Sequence, residues 1–167
     1  MATVIRGDDN FDTAYAKSVA IIGYVTGSST DGGTFTGDAW RTRNINTEID
    51  DPLNIVTITS NQFTLQAGTY LIEWAASAYK VNQHTTRLQN VTDSTTDGEG
   101  TSSYAGSTIN VSTASLGASV ITISSSKAFE LQHYGQTTKS TNGYGLTHTI
   151  SGVNNVYLLI KIHKIGA

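Results

Sequence analysis

QFTLQAGTYLIEWAASAY, residues 62–79, decides the fold. From Tyr70 it alternates with period two: Tyr70, Ile72, Trp74, Ala76 and Ala78 on one side, Leu71, Glu73, Ala75, Ser77 and Tyr79 on the other. Successive side chains of a strand point to opposite faces, so this is the pattern of a half-buried β-strand. Phe63 and Leu65 mark a short strand ahead of it, and Gln66-Ala67-Gly68 supplies a turn in which Gly68 is free to take a positive φ. The pair is expected to form a β-hairpin, with Phe63, Tyr70, Ile72 and Trp74 in the core.

The rest of the composition agrees with this strand. The 167 residues suit one domain with a core of its own. Charged residues are only 14%, against about 25% in ordinary domains. Ser, Thr, Gly and Asn take their place, residues of strands and tight turns. Cysteine is absent, which excludes disulfides and thiolate chemistry. A net charge of −3 gives no footprint for nucleic acid. No apolar run approaches the ~20 residues that span a bilayer, and MATVIRGDDNFD lacks the apolar centre of a secretory signal.

Before the central strand, residues 1–16 form a polar, aspartate-containing arm with Val4, Ile5, Phe11 and Tyr15 as its apolar anchors. The arm is expected to dock on a neighbour, and residues 17–167 to form the domain. KSVAIIGYV (17–25) is apolar on both faces, as expected of a strand buried on both sides or at a subunit interface. AWRTRNI (39–45) alternates, and residues 48–54 read as an acidic turn around Pro52.

After the central strand come TTRLQNVT (85–92), a polar loop over 93–100, a weak strand at 101–105 and a small-residue loop over 106–115. LGASVITIS (116–124) and AFELQHYG (128–135) are expected to form a second hairpin across Ser125-Ser126-Lys127. The stretch 136–152 is polar, with Tyr144 and Leu146 as anchors. NVYLLIKIHKI (155–165) sets Val156, Leu158, Ile160 and Ile162 against Tyr157, Leu159, Lys161, His163 and Ile165. About ten short strands without helical periodicity or internal repeat predict an antiparallel sandwich or barrel. Trp40 and Trp74, which alternate with small apolar residues or threonine, are expected in its core.

This order of features resembles the jelly roll shared by tumour necrosis factor and the globular heads of complement-type trimers. Phe63, Gly68 and Tyr70 match an aromatic strand, a glycine turn and a Tyr-led strand; LQNVT and VYLLIKI match later strands. GDDNFDTA, TFTGDAWRTRNINTE, NQFTLQAGTYLIEWAASAYKVNQHTTRLQNVTDSTT and FELQHYGQTTKSTNGYG are similar to surface and fibre-tip proteins of tailed bacteriophages. The resemblance implies an all-β jelly-roll β-sandwich with a polar N-terminal arm, assembled as a homotrimer. It further implies a decoration or cement protein on the exterior of a virion, made in the host cytoplasm and held by partners such as the major capsid protein. The alternative is a tail-fibre tip that recognises a bacterial surface glycan or protein through loops such as 93–100 and 136–152. Fibre-tip relatives follow a long shaft; none precedes this domain, which favours decoration.

Candidate chemistry is sparse. His84, His133, His148 and His163 stand far apart without metal-ligand spacing. The acids near Asp93–Glu99 and Glu48–Asp51 do not fit a calcium loop. There is no G-x-S-x-G elbow. Arg6-Gly7-Asp8 spells an integrin-type tripeptide and belongs to the acidic arm. Asn90-Val91-Thr92 and Asn110-Val111-Ser112 are formal glycosylation sequons, expected to stay unmodified. No catalytic set, metal or cofactor is predicted. Excess apolar residues on Val19, Ile21, Tyr157, Leu159 and Lys161 are assigned to the trimer interface.

Overall fold

A computed structural model describes residues 18–167, and their regular structure is entirely β. Val4, Ile5, Phe11, Tyr15 and the rest of the arm lie outside the described residues. Two antiparallel sheets pack face to face. The smaller contains β1 (Val19–Thr26), β3 (Thr47–Asp50), β6 (Gly68–Tyr79), β10 (Ser112–Ile123) and β12 (Asn155–Gly166), in spatial order β10-β6-β12-β1-β3. The larger contains β4 (Val56–Thr59), β5 (Gln62–Leu65), β7 (Asn82–Asn90), β8 (Thr95–Glu99) and β11 (Lys127–Gly135), in order β4-β5-β11-β7-β8. Its two short additions are β2 (Arg41–Thr42) on β11 and β9 (Ser103–Ala105) on β7. The chain repeatedly leaves one sheet for the other, which is the jelly-roll arrangement.

Both expected hairpins are crossings. β5 pairs with β4 and β11, whereas β6 pairs with β10 and β12. β10 and β11 likewise lie in different sheets. Alternation and a turn look the same whether the chain folds back in one sheet or steps to the facing one. Gly68 makes the first step at φ +154°, where a Cβ would meet the Lys164 side chain at 2.8 Å. Tyr70 Oη spans the turn and donates to Gln66 O at 2.9 Å.

Three stretches read as loop or turn carry strands: β8 within 93–100, the start of β10 within 106–115, and the last three residues of β3 within 48–54. AWRTRNI shortens to the two residues of β2.

Phe63, Leu65, Ile72, Leu88, Phe129, Leu131, Leu158, Ile160 and Ile162 are fully buried between the sheets, with Tyr70 and Trp74 beside them. Phe63 stacks on Phe129 at 5.7 Å between centroids. A smaller cluster of Phe35, Ala78, Val81, Ala105 and Tyr144 closes one end. Leu146, expected as an anchor beside Tyr144, is exposed. Trp40 departs from its expected core position: it is 36% exposed on the outside of the larger sheet.

Trp74 ties the two sheets together. Its indole lies on the backbone of β10, where a Cβ on Gly117 would fall inside the ring. Its Nε1 donates to Thr86 Oγ1 at 2.7 Å, and Thr86 Oγ1 lies 2.8 Å from Ser115 Oγ, which donates to Thr101 O. A buried hydroxyl without a partner costs about 1–3 kcal/mol, so this run of donors satisfies groups the sandwich would otherwise strand.

Candidate functional site

The outer face of the five-stranded sheet is built by the residues that alternate with the core. On β6 these are Leu71, Glu73 and Ala75; on β10, Leu116, Ala118 and Val120; on β12, Leu159, Lys161 and His163. The registers set them in rows. Leu116 lies opposite Ala75, which lies opposite Leu159 and then Gly23. Ala118, Glu73, Lys161 and Ile21 form the next row. Val120, Leu71, His163 and Val19 form the third. Two apolar rows therefore flank one charged row.

Leu116 is 52% and Val120 62% exposed. Gly23 keeps the first row low, because a Cβ there would collide with the carbonyl of Leu158. A shallow cleft of about 270 Å³ opens between Glu73, Ala75, Leu116, Leu159 and Lys161. From the charged row Glu73 Oε2 reaches to 3.5 Å from His163 Nε2 of the third row, both partly exposed. Two ion-pairing groups inside an apolar surface supply direction and register to a contact, more than affinity.

Of the five residues assigned to an interface, Val19, Ile21, Leu159 and Lys161 stand on this face. Tyr157 does not. In the β1–β12 pairing Tyr24 is opposite Leu158 and Val25 opposite Val156, so Tyr157 is the extra residue of a bulge. The bulge turns Tyr157 and Leu158 both inward and leaves Val156 52% exposed, the reverse of the simple alternation. Tyr157 Oη donates to Thr30 O at 2.7 Å within its own chain.

Sequence reasoning missed a buried polar chain at the closed end of the sandwich. Arg43 is fully buried and, among the described residues, meets no carboxylate. Its Nη2 donates to Tyr157 O at 2.7 Å, its Nη1 to Ser77 O at 3.0 Å, and its guanidinium lies 4.2 Å over the ring of Tyr144. Burial lowers its pKa to about 10, so it stays charged at neutral pH.

Beside it His133 Nδ1 is 3.5 Å from Arg43 Nη1, His133 Nε2 is 3.0 Å from His84 Nδ1, and His84 Nε2 is 2.8 Å from Thr113 Oγ1. Burial first, then Arg43, holds His84 near pKa 4 and His133 well below the usual imidazole range. Two neutral rings pass donors outward from Arg43, while its Nε stays buried without a hydrogen-bond partner among the described residues. The arrangement locks strands together and leaves no basic nitrogen free for proton transfer. The available signal was parity: Arg43 shares its side of the strand with buried Ile45. The pairing of His84 with His133 had none, since the residues are 49 positions apart.

Among the described residues no group of three or more His, Cys, Asp or Glu side chains is placed to hold a metal ion. The acids near 93–97 are instead taken up by turn contacts: Asn90 Nδ2 donates to both Asp93 and Asp97, and Lys127 pairs with Asp93 at 2.6 Å.

No protein-family model and no curated protein sequence matches the chain. Solved structures do. The globular domain of zebrafish complement 1qA protein superposes with a TM-score of 0.57 at 14% identity, covering 89% of this chain and 97% of that one. Murine APRIL superposes with a TM-score of 0.53 at 11% identity, covering 87% of this chain and 98% of that one. A second murine APRIL structure gives 0.52 at 10% identity. The chain thus has the jelly-roll fold of the complement globular head and of the tumour necrosis factor type.

Proposed function

We propose that this protein is a non-enzymatic structural protein that assembles as a homotrimer through the outer face of its five-stranded sheet and decorates the exterior of a tailed-bacteriophage virion. The observation that carries the assembly is the apolar row Leu116–Ala75–Leu159 together with Val120, Leu71 and Val19 of the row that His163 interrupts, left uncovered by any described part of the chain. Contiguous apolar surface of this kind marks an interaction site, and the commonest occupant of such a face is another copy. The bracketing Glu73, His163 and Lys161 give the contact a register. The virion role rests on the similarity of GDDNFDTA, TFTGDAWRTRNINTE and the central stretch to phage surface proteins, and the major capsid protein is the partner it implies.

Two measurements test the two parts. Light scattering of the purified chain is expected to give three times 17.8 kDa; a stable monomer at micromolar concentration removes the assembly. Abundance in purified particles tests the location: hundreds of copies support decoration, a handful support a fibre tip, and none removes the virion role.

A second reading, recognition of a bacterial surface glycan, is favoured by one observation. Trp40 stands exposed beside Tyr134 on the opposite sheet, 5.8 Å between ring centroids.

A further inference from the structure

On the outside of the larger sheet the side chains facing away from the core are unlike those of the smaller sheet. Arg87 lies opposite Gln132 in the β7–β11 pairing, and Thr85 lies opposite Tyr134. The Arg87 guanidinium sits 4.3 Å over the ring of Trp40, and Tyr134 meets the same indole edge-on at 62°. Arg87 Nε donates to Gln132 Oε1 at 2.8 Å, Gln132 Nε2 donates to Glu130, and Gln62 Nε2 donates to the other Glu130 oxygen at 3.4 Å. The guanidinium is therefore held in place by one nitrogen and by the indole. Among the described residues its two terminal nitrogens have no acceptor within hydrogen-bond distance. Glu99, directly opposite Arg87 on β8, forms no ion pair with it.

These groups border a groove. A cleft of about 230 Å³ is lined by Trp40, Arg87, Thr96 and Glu99, and a second of about 410 Å³ by Gln83 and Tyr134. Thr85 and Ser102 line both, so the two are continuous.

We propose that this groove binds an uncharged saccharide of one to a few residues. The exposed part of the Trp40 indole, left beside the stacked Arg87 guanidinium, offers apolar surface to the C–H side of a pyranose in the first cleft, and Tyr134 lines the second. The fixed guanidinium donates to, and the carboxylate of Glu99 accepts from, hydroxyls that each both donate and accept. The hydroxyls of Thr85, Thr96 and Ser102 complete a lining able to pair with several sugar oxygens. One cation and one anion in the same cleft cancel, so a neutral polyol suits it better than a phosphate or an acidic chain, which would meet Glu99. Trp40 and Arg87 together hold orientation, as a few placed polar groups in a mostly preformed cleft do.

The proposal rests on the glycan reading and is independent of assembly, because the groove lies on the sheet opposite the apolar rows. The test is a panel of immobilised neutral oligosaccharides containing glucose, galactose, mannose and their N-acetylated forms, probed with the full chain, W40A and R87M. The unaltered chain is expected to bind a subset, with a loss of about tenfold or more in either variant. Circular dichroism and the scattering mass are expected to stay unchanged in both. Binding that persists in both variants overturns this groove while leaving glycan recognition standing. Absence of binding to every neutral glycan overturns both.

Discussion

At the residue scale the sandwich depends on a few side chains whose neighbours leave no alternative. Trp74 is one: its bed is Gly117 and its Nε1–H is accepted by Thr86. Trp74→Ala is expected to cost about 3–5 kcal/mol, from lost burial and the cavity left behind. Gly117→Ala is expected to cost about 1–3 kcal/mol by forcing the indole off its seat. Urea unfolding of the two variants checks both, and a loss below about 0.5 kcal/mol in each would mean the ring repacks freely.

The buried imidazoles make a prediction of opposite character, one about pH. Both native pKa values lie below the unfolded value near 6.5, with His84 held near 4. Above pH 6.5 the rings are neutral folded or unfolded, and stability does not depend on them. As pH falls from 6.5 toward 4 the unfolded chain binds protons that the native chain refuses, so stability falls. The slope is about 1.4 kcal/mol per pH unit for each imidazole once the unfolded one is fully charged. The urea midpoint is therefore expected to drop between pH 7.5 and 4.5, and less steeply in His84→Gln. A midpoint that stays level over that range would mean the rings titrate normally.

At the element scale the proposed assembly rests on the outer rows of β6, β10 and β12, where a charge acts on the contact alone. Val120 is 62% exposed, so Val120→Asp leaves the core untouched. It is expected to lower the scattering mass toward 17.8 kDa with an unchanged thermal midpoint of the subunit. Leu159→Asp, in the other apolar row, is expected to do the same. If both remain at the mass of the unaltered protein, the subunits meet elsewhere.

These rows were readable from the sequence on β6, where strict alternation from Tyr70 to Ala78 placed every side chain. On β12 the alternation failed at Tyr157, because a bulge adds one residue and inverts the faces before it. Period-two patterning carries no mark of a bulge. The inward faces of β5 and β6 followed from local pattern, whereas β3, β8 and the start of β10 lay in stretches that read as turn or loop. Which strands pair did not follow from it, since both predicted hairpins turned into steps between sheets. Arg43 was hidden for another reason: a charge is expected outside, and only backbone carbonyls from distant strands make its burial tolerable. Trp40 erred in the opposite sense, since nothing in its local sequence marks that it packs against Arg87 and Tyr134 outside the core.

At the scale of the whole molecule the proposed decoration role asks how a trimer with so modest a charge and no cysteine would be held on a larger particle. The domain from residue 18 onward closes its own core, with β1 paired on both edges by β12 and β3. Residues 1–16 stand ahead of that strand and carry Val4, Ile5, Phe11 and Tyr15 among polar neighbours. Such a segment loses chain entropy on docking, so one copy binds weakly. Three copies on a trimer act together, because after the first docks the others face a high local concentration of sites. Deleting residues 1–16 is therefore expected to leave a folded trimer with the same scattering mass and thermal midpoint, yet unable to occupy particles. Full occupancy by the shortened protein would move attachment to the jelly roll itself. Failure of the shortened protein to fold would make the arm part of the core and remove its role as a tether.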